Sequence, residues 1–173
     1  TLIFIAFANS IWMLIPALIF FGAIHGGVDV AMNAWAVEVE RKDNRPLMSS
    51  FHGMWSLGSA IGAGSGVLAT YNKIEVPMHF TITSIIIFLV VLSVLTIPFK
   101  SQKKEKDSTA SFISIPKGAL LPVAFITFFA SLAEGMVADW SAIFLRSISE
   151  LPNGSAALGF TVFSICMFVM RLM

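Results

Sequence analysis

The sequence predicts an all-α membrane protein, and three observations carry that expectation. The 173 residues are 57% hydrophobic and only 12% charged, with a mean hydropathy of +0.85, more apolar material than a soluble domain of this size hides in a core. The apolar residues gather into runs that approach the ~20 residues a helix needs to cross a bilayer. Lysine and arginine gather between those runs, as they do in the loops of multi-pass proteins. The same composition excludes other classes. A net charge of +1 provides no basic excess for nucleic acid. A single cysteine, Cys166, excludes an internal disulfide and a multi-cysteine metal site. No cofactor and no metal are expected.

Residues 1–7 read as the tail of a first span, stopped at Asn9-Ser10. Joined across that point, residues 1–37 would form a helix about 55 Å long, well beyond a bilayer. The second span covers residues 11–37 and is followed by a charged turn over 38–45, in which Glu38 and Glu40 pair in solvent with Arg41 and Lys42. Pro46, suited to a first helical turn, introduces a third span reaching about residue 69. Residues 71–73 form a loop, and Pro77 and Pro98 frame the fourth span. Residues 100–117, rich in lysine and serine, read as a flexible connector. A fifth span follows over 119–144, then a Pro152-Asn153-Gly154 turn, with Ser155 as N-cap of a sixth span. The chain opens on an apolar run without methionine or a positive n-region and stops in another apolar run, so it is expected to be an internal piece of a longer protein.

Basic residues set the expected orientation, because cytoplasmic loops collect them. Arg41, Lys42 and Arg45 share one side with Lys100, Lys103, Lys104, Lys106 and Lys117, whereas the intervening connections hold only Lys73 and Arg146. The 38–45 turn and the connector are therefore expected in the cytoplasm, with Arg171 on that side as well.

Candidate functional residues are the polar ones at membrane depth, where an ionisable group costs about 2.5–3.5 kcal/mol even on lenient scales. His25, Asp29 and Asn33 recur every four residues and share a helical face. An imidazole, a carboxylate and an amide in line can hold a proton and hydrogen-bond a polar solute; the alternative is that they satisfy one another. His52, Trp55 and Ser59, with Phe51 beside them, offer an aromatic wall and an imidazole suited to a sugar ring, or an interfacial anchor. On the same span Gly58, Gly62 and Gly66 form two overlapping GxxxG steps, expected to pack closely against another helix. Glu134 and Asp139, followed by Trp140, lie five apart and face different sides of a regular helix, unless Gly135 lets it unwind locally. His79, at a span start, is expected at an exposed interface.

Two motifs bear a family resemblance. The run from Gly22 to Asn33, including His25-Gly26-Gly27-Val28-Asp29, and the run Phe51-His52-Gly53-Met54-Trp55-Ser56-Leu57-Gly58 resemble the fourth and fifth helices of bacterial sugar-type members of the major facilitator superfamily. The likeness is greatest to the fucose permease-like branch and its uncharacterised inner-membrane relatives. Residues 133–140 resemble the seventh helix of those relatives. The resemblance implies a major facilitator-type helical bundle, with this chain running from the end of the third helix through most of the eighth. Residues 1–99 would belong to the N-terminal six-helix half, 100–117 to the cytoplasmic connector and 118–173 to the C-terminal half. It also implies a multi-pass inner-membrane carrier of a small polar solute, coupled to protons, with no enzymatic activity. Asp29 and Asn33 would handle substrate and proton, with Glu134 a second proton-coupling candidate, and His52 and Trp55 would line a sugar cavity.

Two other classes remain in view. Gly64-Ser65-Gly66 within a span raises an intramembrane serine protease, but Ala63 stands where its nucleophile motif wants glycine. A transporter-like sensor that binds without moving solute would share every feature above. Val67 stands where drug antiporters of this superfamily carry proline after the last spaced glycine, which disfavours that type.

Overall fold

A computed structural model describes residues 2–97 and 115–173. Within them the chain forms seven helices: α1 (Leu2–Ala6), α2 (Ile11–Asp43), α3 (Met48–Tyr71), α4 (Val76–Leu95), α5 (Leu120–Ser147), α6 (Asn153–Ala156) and α7 (Leu158–Leu172). Most of the expected connector, including Lys100, Lys103, Lys104 and Lys106, lies outside the described residues. Four stretches are long and apolar enough to cross a membrane: α2, α4, α5 and the α6–α7 run Gly154–Leu172. The 24-residue α3 has the length, yet its five glycines and five serines keep it out of that apolar set.

The break at Asn9-Ser10 is present, with α1 ending at Ala6 and α2 starting at Ile11. Several other boundaries differ from the sequence reading. The stretch expected as a charged turn is mostly helix, because α2 continues to Asp43 and ends only where Asn44 adopts the left-handed conformation (φ 53°), a conformation asparagine tolerates at a helix C-terminus. At 33 residues, α2 is about 50 Å long and its charged last turns project beyond a bilayer core. Glu40 is not a solvated partner of the neighbouring cations in this arrangement. Its Oε1 accepts the backbone N–H groups of Leu47 and Met48, each at 2.6 Å. Those donors are unsatisfied at any helix start, so a carboxylate from α2 caps α3, which begins at Met48 and not at Pro46. Ser155 lies inside the short α6 and is not the cap of the last span, and that helix starts from Pro152.

The most extensive packing joins α3 to α7. Ser49 meets Arg171 at one end of the pair and Thr70 meets Gly154 near the other, so the two lie antiparallel along their length. Their seam is built from small residues: Gly53, Ser56, Ala60 and Ala69 of α3 with Ala156 and Ser164 opposite are buried. In lipid, apolar side chains gain nothing by leaving the solvent, and close backbone approach supplies the attraction instead. The expected GxxxG face is not this seam. Nothing lies within 4 Å of a Cβ built on Gly58, Gly62 or Gly66, whereas Gly53 and Gly64 face Leu172 and Thr161 across the seam at 3.4 and 3.7 Å. Gly159 lets α5 approach α7, since a Cβ there would sit 2.6 Å from Leu145 Cδ1.

Around this pair, α4 runs antiparallel to α3, with His79 near its start against Ser65 near the end of α3. Helix α1 packs on α4, and α5 on α7. Antiparallel order thus places the α2–α3 turn, the end of α4, the start of α5 and the end of α7 at one end of the bundle. That end holds Arg41, Lys42, Arg45 and Lys117; the other holds Lys73 and Arg146. Large apolar side chains cover the outside, Trp12 81% and Phe4 63% exposed, as a surface solvated by lipid requires.

Candidate functional site

A cavity of about 800 Å³ opens between α2, α3, α5 and α7. Helix α2 contributes His25, Gly26 and Asp29, and the first two turns of α3 contribute Met48, Ser49, His52 and Trp55. Thr127, Ser131, Glu134 and Ala138 of α5 follow at intervals of four, three and four, one stripe of a regular helix. Phe160 and Arg171 complete the wall from α7. His25, Asp29 and Glu134 sit near the middle of their helices, so three ionisable side chains meet midway along the bundle.

Five candidates named from the sequence, His25, Asp29, His52, Trp55 and Glu134, therefore face one space. Four others do not line it. Asn33 lies one turn beyond Asp29 and supports it, donating from Nδ2 to Asp29 Oδ1 at 3.2 Å and to the Asp29 carbonyl at 3.0 Å. Phe51 is half-buried and is not part of the cavity wall. Asp139 and Trp140 are exposed on another side of α5. The reason is that α5 does not unwind at Gly135 but is continuous from Leu120 to Ser147, so five residues separate Glu134 and Asp139 by about 140° around the axis. Ser59 also turns inward on its own helix, donating to the Trp55 carbonyl at 3.1 Å.

The main residue missed by sequence reasoning is Arg171, placed there with the basic loop residues. Its Nη2 forms an ion pair with Glu134 Oε2 at 3.2 Å, the two side chains being 22% and 26% exposed. Its Nη1 donates to the His52 carbonyl at 3.1 Å and to Ser56 Oγ. Ser49 Oγ in turn donates to the Arg171 carbonyl. One guanidinium thus joins α5, α7 and α3. A lone arginine within the apolar run 159–173 was the available signal, since such a charge at depth needs a partner. Asp29 differs: among the described residues no cation pairs with its carboxylate. The His25 ring stacks on Phe21 at 5.8 Å with a 4° interplanar angle, which fixes the imidazole beside the cavity without a hydrogen bond to Asp29 among the described residues.

His79 is not an exposed interface residue. It is half-buried and its Nε2 lies 3.1 Å from Ser65 Oγ. Ser65 also donates its hydroxyl proton to the Gly62 carbonyl at 2.7 Å. The pair ties α4 to α3. Among the described residues, no group of three or more His, Cys, Asp or Glu could hold a metal ion.

Comparison with known proteins agrees with this architecture. The family model described as Major Facilitator Superfamily matches residues 1–173. The chain is 39% identical over 165 residues to the uncharacterized transporter y4wD of Sinorhizobium fredii, covering 95% of this chain and 44% of that protein. It is 35% identical over 156 residues to an uncharacterized MFS-type transporter of Yersinia pestis, covering 90% and 40% respectively. It is 24% identical over 174 residues to the membrane protein MosC of Rhizobium meliloti, covering 99% and 41%. No solved structure matches. The chain thus spans about two fifths of the length of these relatives. A family match over the whole chain, on a multi-pass helical bundle whose polar residues converge on one cavity, places the chain in the Major Facilitator Superfamily, a family of membrane transporters and not of enzymes.

Proposed function

We propose that the full protein is a secondary active transporter of the inner membrane, moving a small polar solute of the sugar type by alternating access, coupled to protons. The single observation behind this reading is the convergence of His25 and Asp29 on α2 with Glu134 on α5 and Arg171 on α7 upon one cavity of about 800 Å³. That volume suits a small-molecule site, commonly ~300–1,000 Å³, and the groups on it can hydrogen-bond hydroxyls from several directions. Trp55, 41% exposed, supplies a flat apolar face for a sugar ring. Residues 1–99 and 118–173 would belong to two bundles that rock about this midplane site, joined through a cytoplasmic connector over 100–117.

Asp29 is the group we assign to the proton. Glu134 already has Arg171 as its counter-ion, while Asp29 is held only by Asn33. Coupling needs a group whose protonation changes with the transport cycle, and a cavity carboxylate that has no cation partner among the described residues can serve without an ion pair being broken. The test is a thermal-shift screen of the full-length protein against sugars and polyols, since a ligand of the folded state raises its apparent stability, followed by uptake of any stabilising compound into proteoliposomes. Binding without uptake would establish a sensor in place of a carrier.

A further inference from the structure

We propose that Arg171 is a latch that closes the basic end of the cavity by bolting α7 to α3, with Glu134 as the partner that keeps its charge compensated when the bolt is drawn. The proposal rests on the transport reading above, in which α3 and α7 belong to different bundles.

Three features of the seam converge on this residue. First, every hydrogen bond between α3 and α7 among the described residues involves Arg171: Nη1 to the His52 carbonyl, Nη1 to Ser56 Oγ, and Ser49 Oγ to the Arg171 carbonyl. The rest of the seam is small-residue packing, which can slide apart without stranding a polar group. Second, the contact is close as well as polar. Gly53 is buried, and a Cβ on it would meet Leu172 Cδ2 at 3.4 Å and Arg171 Cβ at 3.6 Å, so the last turn of α7 rests directly on α3. Third, Ser49, His52 and Arg171 all line the cavity at the end where the α2–α3 turn lies, so separation there opens the cavity on that side.

The division of partners explains why the guanidinium can be released. A bare arginine at membrane depth is costly, and a latch that left one behind would not open. The Nη2–Glu134 ion pair lies within the group formed by α5 and α7, so it travels with Arg171 and stays intact. The bonds given up are to a carbonyl and a hydroxyl, neutral acceptors that water entering the opening cavity satisfies. A polar solute that hydrogen-bonds Glu134 changes the hold on the same guanidinium, so cavity occupancy acts directly on the bolt.

The experiment uses the full-length protein with all native cysteines, Cys166 among them, replaced, and a reporter introduced as Ser131→Cys on the cavity wall. Labelling by a membrane-impermeant maleimide is timed separately from each face, in the parent and in Ser56→Ala and Arg171→Ala backgrounds. Ser56→Ala removes one acceptor at a buried small residue and keeps the seam's shape, so it remains informative if Arg171→Ala fails to fold. One interhelical hydrogen bond corresponds to about a threefold change in an equilibrium and two to about tenfold. Labelling from the basic-end face should therefore rise about threefold in Ser56→Ala and up to about tenfold in Arg171→Ala, with labelling from the opposite face falling. Unchanged rates from both faces in Ser56→Ala, with the parent labelled from both, would overturn the latch while leaving transport intact. A parent labelled from one face only, with and without a stabilising solute, would sink the transport reading and the latch with it.

Discussion

Replacing Asp29 by asparagine separates the proposed coupling role of its carboxylate from its structural role. The carboxylate accepts one hydrogen bond on Oδ1, from Asn33 Nδ2 at 3.2 Å, and an amide carbonyl presents an equivalent oxygen to the same donor. No ion pair is lost among the described residues, so Asp29→Asn is expected to change stability by less than about 1 kcal/mol, and loss of function cannot be charged to unfolding. On the proposed function, the expected effect on coupling is large. A pH difference of one unit is worth about 1.36 kcal/mol per proton, which sustains about tenfold accumulation of a solute moved with one proton. In proteoliposomes holding the full-length protein under such a gradient, the parent should reach about tenfold and the Asp29→Asn variant about onefold. Exchange of labelled for unlabelled solute needs no net proton movement and should persist in the variant. Tenfold accumulation by Asp29→Asn would refute the assignment and move the coupling role to Glu134.

His52→Ala and Trp55→Ala should each weaken solute affinity several-fold, since a hydrogen bond or a stacked ring is worth about 1 kcal/mol. The protein should stay inserted, because the seam uses the carbonyl of His52 and not its ring; unchanged half-saturation in uptake would reduce both residues to anchors. Glu40→Ala strands the Leu47 and Met48 amides and should cost about 1–2 kcal/mol, seen as a lower melting temperature in detergent, while Glu40→Gln, which keeps an acceptor, should lose less. A cysteine placed at Lys117 should resist impermeant reagents applied to the periplasmic face of intact cells, and rapid labelling from outside would reverse the assigned orientation.

The helical class was legible because apolar runs of membrane length and the break at Asn9-Ser10 are one-dimensional features that need no partner. The shared faces of His25 with Asp29 and of His52 with Trp55 were legible for the same reason: 3.6 residues per turn decides which side chains point together. What periodicity cannot supply is which face meets which helix. A span that is apolar nearly all round, like α4, carries no stripe that marks its inner side, and on α3 the GxxxG face expected to pack was not the one used. Packing chose the one holding Gly53 and Gly64 and left Gly58, Gly62 and Gly66 open. The end of α2 was likewise decided at a distance. A charged stretch that reads as a loop stays helical through Asp43 because Asn44 turns left-handed and Glu40 finds the bare amides of α3. Arg171 was the furthest from reach, since its meaning lies in partners 37, 115 and 119 residues away. In the sequence it is one more cation, and only the antiparallel docking of α3 on α7, with α5 alongside, turns it into the charge that joins three helices on the cavity wall.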